Sequence, residues 1–198
     1  MQPIKLICAL GNNDKRYHNT RHNIGFSWID KLCVKWGLNW HKSQHGSGFI
    51  TKWHHEDSPI VLFKPGLLMN INGQPIAQCA QYHHINPENI LVVYDELDLK
   101  VGQIKLKTEG GHGGHNGIRN LIQHTKQNRF YRLRIGIGRP EFEEVGHYVL
   151  GKIPPAEHAI LDKTIDHSIA TIEDLLSNRE NQYHQTLAEW SKSNQPED

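Results

Sequence analysis

No stretch of this chain holds enough consecutive apolar residues to cross a membrane, and Met1–Leu10 lacks the basic start and small-residue exit of a secretion signal. Net charge is nearly absent. Twenty-two lysines and arginines against 21 acids leave +1 with histidine neutral, so any binding of a polyanion has to come from a local patch. Cysteine is scarce as well: Cys8, Cys33 and Cys79 are odd in number, widely spaced, set in apolar segments and form no CxxC pair. They read as reduced core thiols, which with the missing signal and span predicts a soluble, cytoplasmic protein. Common catalytic signatures are also missing. The chain has no Gly-Lys-Ser/Thr phosphate loop and no G-x-S-x-G elbow, and His55-Glu56 lacks the second histidine of a zincin helix.

Glycine, by contrast, is concentrated in one place. Gly110–Gly117 reads Gly-Gly-His-Gly-Gly-His-Asn-Gly, a backbone free to take positive φ and to approach a partner closely. Asn116 stands where a dinucleotide fingerprint needs its third glycine, so that reading fails. The loop precedes an amphipathic stretch, Ile118–His124, and a helix N-terminus favours an anionic ligand. The 15 histidines are scattered as well as clustered, so no single one carries weight alone.

Along the chain, Ile4–Leu10 and Asn89–Tyr94 read as buried strands, and Gln103–Lys107 and Arg132–Gly138 as alternating ones. Phe49–Trp53 and Ile60–Phe63 flank a turn, Glu56-Asp57-Ser58-Pro59, and predict a hairpin. Trp40–Gly48 is polar and predicted mobile. Phe26–Trp36 has helical spacing, a second helix begins near Pro75, and Pro154-Pro155 opens a long helix with a stripe from Ile160 to Leu176. A further helical segment reaches about Trp190. Strands and helices interleave with no dividing linker. The prediction is α/β, a single domain over residues 1–190 with a central mixed, twisted sheet flanked by helices and a frayed tail at 191–198.

Polar residues recur where strands end and helices begin: Asn12, His22, Asn70, Asp95, His115 and Asn116. Ligands of open α/β sheets gather at the carboxyl ends of strands, so these side chains have a place to converge. A histidine beside a carboxylate activates water near neutral pH, and carboxamides donate to a developing oxyanion. The set suits metal-free hydrolysis of an ester or amide. Each also has a plainer reading: His22 as a residue of a helix start, Asp95 as a turn former, Asn70 and Asn116 as caps. His112 and His115 invite a metal, without the ligand spacing of a known site. Lys105, Lys107, Arg132 and Arg134 are either solvated strand faces or a phosphate-binding patch.

Taken in order, Leu10-Gly11-Asn12, Tyr17, Thr20-Arg21-His22-Asn23-x-Gly25, Met69-Asn70-x-x-Gly73, Asp95-Glu96-Leu97-Asp98, Gly110–Gly117 and Arg132–Gly138 resemble the bacterial-type peptidyl-tRNA hydrolase family. The resemblance implies an enzyme that hydrolyses the ester between a peptide and the tRNA 3′ end, without cofactor or metal, as a monomer. By the same resemblance His22 is the general base, Asp95 orients it, and Asn12 distinguishes an N-blocked peptidyl group from a free amine. Asn70 and Asn116 bind the substrate and polarise its carbonyl, Tyr17 and Leu68 line the site, and His115 contacts substrate near the 3′ end. Lys105, Lys107 and Arg134 look like a clamp for tRNA phosphates. The chain departs from the family pattern at Asn13-Asp14, where Pro-Gly is usual, and within Gly66-Leu67-Leu68, where a threonine and an aromatic are frequent. A non-catalytic RNA-binding protein and a histidine-dependent metallohydrolase are the competing readings.

Overall fold

The computed structural model describes residues 2–55 and 58–193. The strands are β1 (Leu6–Ala9), β2 (His41–Lys42), β3 (Gly48–His55), β4 (Ser58–Pro65), β5 (Ile90–Glu96), β6 (Ile104–Lys107) and β7 (Tyr131–Gly136). They form one mixed sheet in the order β2-β3-β4-β1-β5-β7-β6. The centre is parallel: β1 pairs with β4 and β5, and β5 with β7. Both edges are antiparallel, β2 and β3 on one side and β6 on the other. The predicted α/β class and mixed sheet are both observed.

Alternation along the strands builds two cores. Leu6 and Cys8 of β1 join Ile90, Val92 and Tyr94 of β5 on one face. Ile7 and Ala9 join Leu91 and Val93 on the other. Helices α2 (Gly73–Tyr82) and α3 (Asn116–Thr125) cover the first face through Ile76, Cys79, Ile118 and Leu121. The opposite face is covered by α1 (Ile24–Lys35), α5 (Pro155–Ala170), α6 (Ile172–Leu176) and α7 (Glu180–Ser193). Trp28, wholly buried on α1, donates its indole N–H to Ser168 Oγ of α5 at 2.8 Å, so the bulkiest core side chain leaves no polar atom unpaired. The short helix α4 (Val145–Leu150) adds Val149 to the edge of this second core.

Several differences from the sequence reading have simple causes. His41 and Lys42 lie inside the segment predicted mobile, yet they pair with Ile50 and Phe49, an edge that polar residues form without any apolar signal. Ser58 and Pro59, expected in the turn, belong to β4; Glu56 and Asp57 lie outside the described residues. The long C-terminal helix is broken at Thr171, whose ψ of 2° ends α5 while the apolar stripe continues into α6. Ser191 is buried in α7, where its hydroxyl bonds the backbone N–H and C=O of Ile104 at 3.1 and 3.2 Å, so residues 191–193 are helical rather than frayed. Residues 194–198 lie outside the description.

The parallel strands β1, β5 and β7 all exit at one end of the sheet, and α1 begins there. Gly25 makes the junction possible. A Cβ at that position would lie 2.6 Å from the Val93 carbonyl oxygen and 2.7 Å from that of Leu10. Only glycine lets the helix start, with His22 just before it, rest directly on β1 and β5.

Candidate active site

His22 lies on a single 3-10 turn, Arg21–Asn23, that feeds α1. Asp95 is the penultimate residue of β5 and its side chain is almost wholly buried. Strand end and helix start bring them together, with His22 Nδ1 at 3.0 and 2.9 Å from the two Asp95 oxygens. His115, the residue that caps α3, completes the group by placing Nε2 3.1 Å from Asp95 Oδ1. Its Nδ1 accepts the Ile118 backbone N–H at 3.3 Å, so the His115 hydrogen resides on Nε2 and is donated to Asp95. The His22 hydrogen is likewise held on Nδ1 by the carboxylate, which leaves Nε2 as the nitrogen with a free lone pair.

The electrostatics follow from this packing. Burial opposes ionisation of Asp95, but the two imidazoles and their hydrogen bonds outweigh it and hold the carboxyl far below the usual range. Burial also disfavours a charged His22. The negative charge and hydrogen bond of Asp95 overcome that, and the net effect raises its pKa above the ordinary 6.5. His22 is therefore a stronger base than a free histidine, attached to an acid that stays ionised.

His22, Asp95, His112, His115 and Asn116 line a cavity of about 370 Å³, closed on one side by Val145, Gly146 and Val149 of α4. Gly113 and Gly114, with φ of +55° and +84°, fold the glycine loop around it. Asn116 opens α3, and its Oδ1 accepts from the Arg119 guanidinium at 3.1 Å, which orients the carboxamide and leaves its NH₂ to donate. A larger cavity, about 470 Å³, lies at the opposite end of the sheet, where Glu88, Glu109 and Glu180 outnumber Arg129 and leave the walls net acidic, a poor fit to an anionic substrate.

Other predicted residues are placed around this centre rather than in it. Asn12 is buried, its backbone N–H and C=O bonded to the Asn23 side chain at 2.7 and 2.9 Å, and its Oδ1 accepts the Met69 N–H at 2.8 Å. It faces a neighbouring pocket of about 240 Å³. Asn70 is exposed on the turn Met69–Ile71, Tyr17 is half-buried beside Arg16, and Leu68 lines a shallow depression. Lys105 and Lys107 stand exposed on edge strand β6. Arg134, opposite Lys105 in the sheet, is half-buried, with Nε 2.9 Å from Glu96 Oε2. Arg132, read as part of a basic face or patch, is neither. It is buried and donates to the carbonyls of Gly110, Gly111 and Asn128, anchoring the glycine loop to β7.

The sequence reading missed Asn72, wholly buried, which accepts the Gly11 N–H at 2.9 Å and donates to the carbonyls of Leu67 and Leu68. Two residues from Asn70, it had no distinguishing signal. The ligand spacing that local sequence lacked also exists in space. His22, Asp95 and His115 set three potential donor atoms within 4.8 Å of one another. A divalent cation could be held there, in competition with the protons that now join the three groups.

A family model for peptidyl-tRNA hydrolases matches residues 6–196. The chain belongs to the peptidyl-tRNA hydrolase family. It is 42% identical over 189 residues to the peptidyl-tRNA hydrolase of Pseudomonas fluorescens, covering 94% of this chain and 97% of the relative. It is 42% identical over 171 residues to that of Listeria innocua, covering 86% and 92%. The crystal structure of the peptidyl-tRNA hydrolase of Acinetobacter baumannii superimposes with a TM-score of 0.87 at 38% identity, covering 93% of this chain and 94% of that one. The two departures from the peptidyl-tRNA hydrolase pattern prove to be one. Asn13 donates its N–H to the Leu67 carbonyl at 3.2 Å, and Asn13, Asp14, Leu67 and Leu68 share one depression. They change a rim that does not include His22 or Asp95. Among the described residues, no helix is long and apolar enough to cross a membrane.

Proposed function

We propose that this chain hydrolyses the ester linking a peptide to the 3′ end of tRNA, as a cytoplasmic monomer that engages the acceptor arm, with His22 as a metal-free general base. The observation that carries the reading is the pinning of His22 Nδ1 by the buried Asp95 carboxylate, which presents Nε2 to the cavity as a base. A water between Nε2 and the ester carbonyl gives its proton to His22 and attacks the carbon. Asp95 stabilises the imidazolium while remaining a carboxylate. The Asn116 NH₂ donates to the oxyanion of the tetrahedral intermediate, and the exposed Asn70 is a further substrate contact. Collapse expels the ribose oxygen of tRNA, which takes the proton back from His22.

The pH profile tests this directly. Because the base form of His22 is the active one and its pKa is raised, kcat/KM should fall as pH drops, with the inflection above 6.5. A flat profile from about pH 5 to 8, where an ordinary histidine titrates, would contradict the assignment.

Lys105 and Lys107 are the proposed phosphate contacts, with Arg134 beside them and shared with Glu96. Phosphate contacts carry little sequence information, which suits an enzyme that accepts many tRNAs. Replacing Lys105 with alanine should weaken tRNA binding and reduce the slope of log Kd against log salt by about one, with kcat retained. Titrations at several salt concentrations measure it, and an unchanged slope would remove Lys105 from the clamp.

A further inference from the structure

Arg21 precedes His22 on the same turn, and no part of the mechanism uses it. It is buried, 7% exposed, yet carries a full charge. One guanidinium nitrogen, Nη2, lies 3.1 and 3.0 Å from the two Glu157 oxygens at the start of α5. The other, Nη1, donates to the Lys152 carbonyl at 3.4 Å. The guanidinium also covers the Tyr148 ring of α4 at 4.1 Å, and the Tyr148 hydroxyl donates to the Ile137 carbonyl, just past β7, at 2.5 Å. The backbone repeats the connection. Arg21 N–H bonds Gly151 O at 3.2 Å, Ile153 N–H bonds Asn19 O at 3.0 Å, and Thr20 bridges to Lys152.

Glu157, Tyr148, Gly151, Lys152 and Ile153 all lie on α4 or after it, and α4 supplies the cavity wall through Val145, Gly146 and Val149. An ion pair between a buried arginine and a half-buried glutamate contributes little net stability, because solvent screening on one side and desolvation on the other offset its attraction, and an apolar filler would serve packing as well. Arg21 Nε is left without a partner, a further cost. Geometry is what the arrangement provides.

We propose that Arg21 is a positioning residue: through Glu157 and Tyr148 it locks the His22 turn and the α4 wall into one unit, holding Nε2 of His22 at the distance the attacking water requires. The inference rests on His22 being the base, and the two are separable. His22→Ala tests the base, whereas the Arg21 variants leave His22, Asp95 and His115 in place.

The experiment compares Arg21→Met, Arg21→Lys and Glu157→Gln in steady-state hydrolysis of N-blocked aminoacyl-tRNA, with melting temperature and pH profile recorded for each. Arg21→Met should lower kcat roughly tenfold or more while KM stays within about twofold, the pattern of a displaced reacting group. Its pH inflection should fall toward the ordinary histidine value as the His22–Asp95 contact loosens; His115 is the other titratable group facing Asp95 there. Lysine keeps the charge but not the planar fork, so Arg21→Lys should recover only part of kcat. Should Arg21→Met fail to fold, Glu157→Gln, which removes one charge and keeps an acceptor, should still lower kcat about threefold and lower the inflection. Unchanged kcat and inflection in a folded Arg21→Met, or in Glu157→Gln, would overturn the proposal and leave Arg21 a packing residue.

Discussion

Replacing His22 with alanine should lower kcat/KM by a factor on the order of 10² to 10⁴, the usual contribution of a positioned general base. The loss should fall on kcat, because the proposed substrate contacts, Asn116 and the exposed Lys105 and Lys107, are left in place. Packing should suffer little. His22 belongs to neither apolar core, and its side chain retains 13% of its exposure. Glutamine is the sharper control, since it fills similar space and hydrogen-bonds without acting as a base near neutral pH. A kcat within a few-fold of wild type in either variant would remove His22 from the chemistry.

Asp95→Asn should be nearly as damaging, for a different reason. The carboxylate accepts from two imidazoles at once, at 2.9–3.0 Å from His22 and 3.1 Å from His115. A carboxamide offers one oxygen, and its NH₂ meets whichever ring nitrogen is left, so one histidine must change tautomer or turn. If His22 turns, its lone pair points at the amide instead of the cavity. A loss again of the order of 10² to 10⁴ in kcat/KM is expected. The residual activity should titrate at lower pH, because burial of His22 is then unopposed. Asp95, whose pKa is depressed, also contributes stability that is present above the unfolded value near 3.8 and lost as pH falls through its lowered pKa. The asparagine variant should therefore melt at lower temperature than wild type at pH 7. An inflection that stays in place or rises would mean that Asp95 does not set the basicity of His22.

The order of elements was legible because apolar periodicity reports the side of the sheet a residue faces, and β1 and the first five residues of β5 form unbroken apolar runs. The meeting of His22 and Asp95 was legible for a similar reason: a histidine at a helix start and an aspartate at a strand end have one common place to meet, the carboxyl end of the sheet. Partnership decided what was not legible. Arg132 and Arg134 alternate on β7 as an exposed basic face would, but Arg132 is buried beneath the glycine loop and Arg134 is joined to Glu96. Asn70 and Asn72 look alike in sequence; one is exposed and the other ties Gly11 to the Leu67–Leu68 backbone. Side chains that bond to backbone far along the chain leave no periodic trace. The three donors at His22, Asp95 and His115 are separated by 73 and 20 residues, far outside any local ligand pattern.

That same cluster makes one measurement decisive: hydrolysis of an N-blocked aminoacyl-tRNA by enzyme stripped with a strong chelator, before and after adding back Zn²⁺ or Mn²⁺. Metal-free general-base catalysis predicts an undiminished rate in the stripped enzyme, no stimulation on adding either cation, and loss of that rate in His22→Ala. A stripped enzyme that is inactive and regains its rate with metal would contradict the account and make His22, Asp95 and His115 ligands instead of a base and its partners.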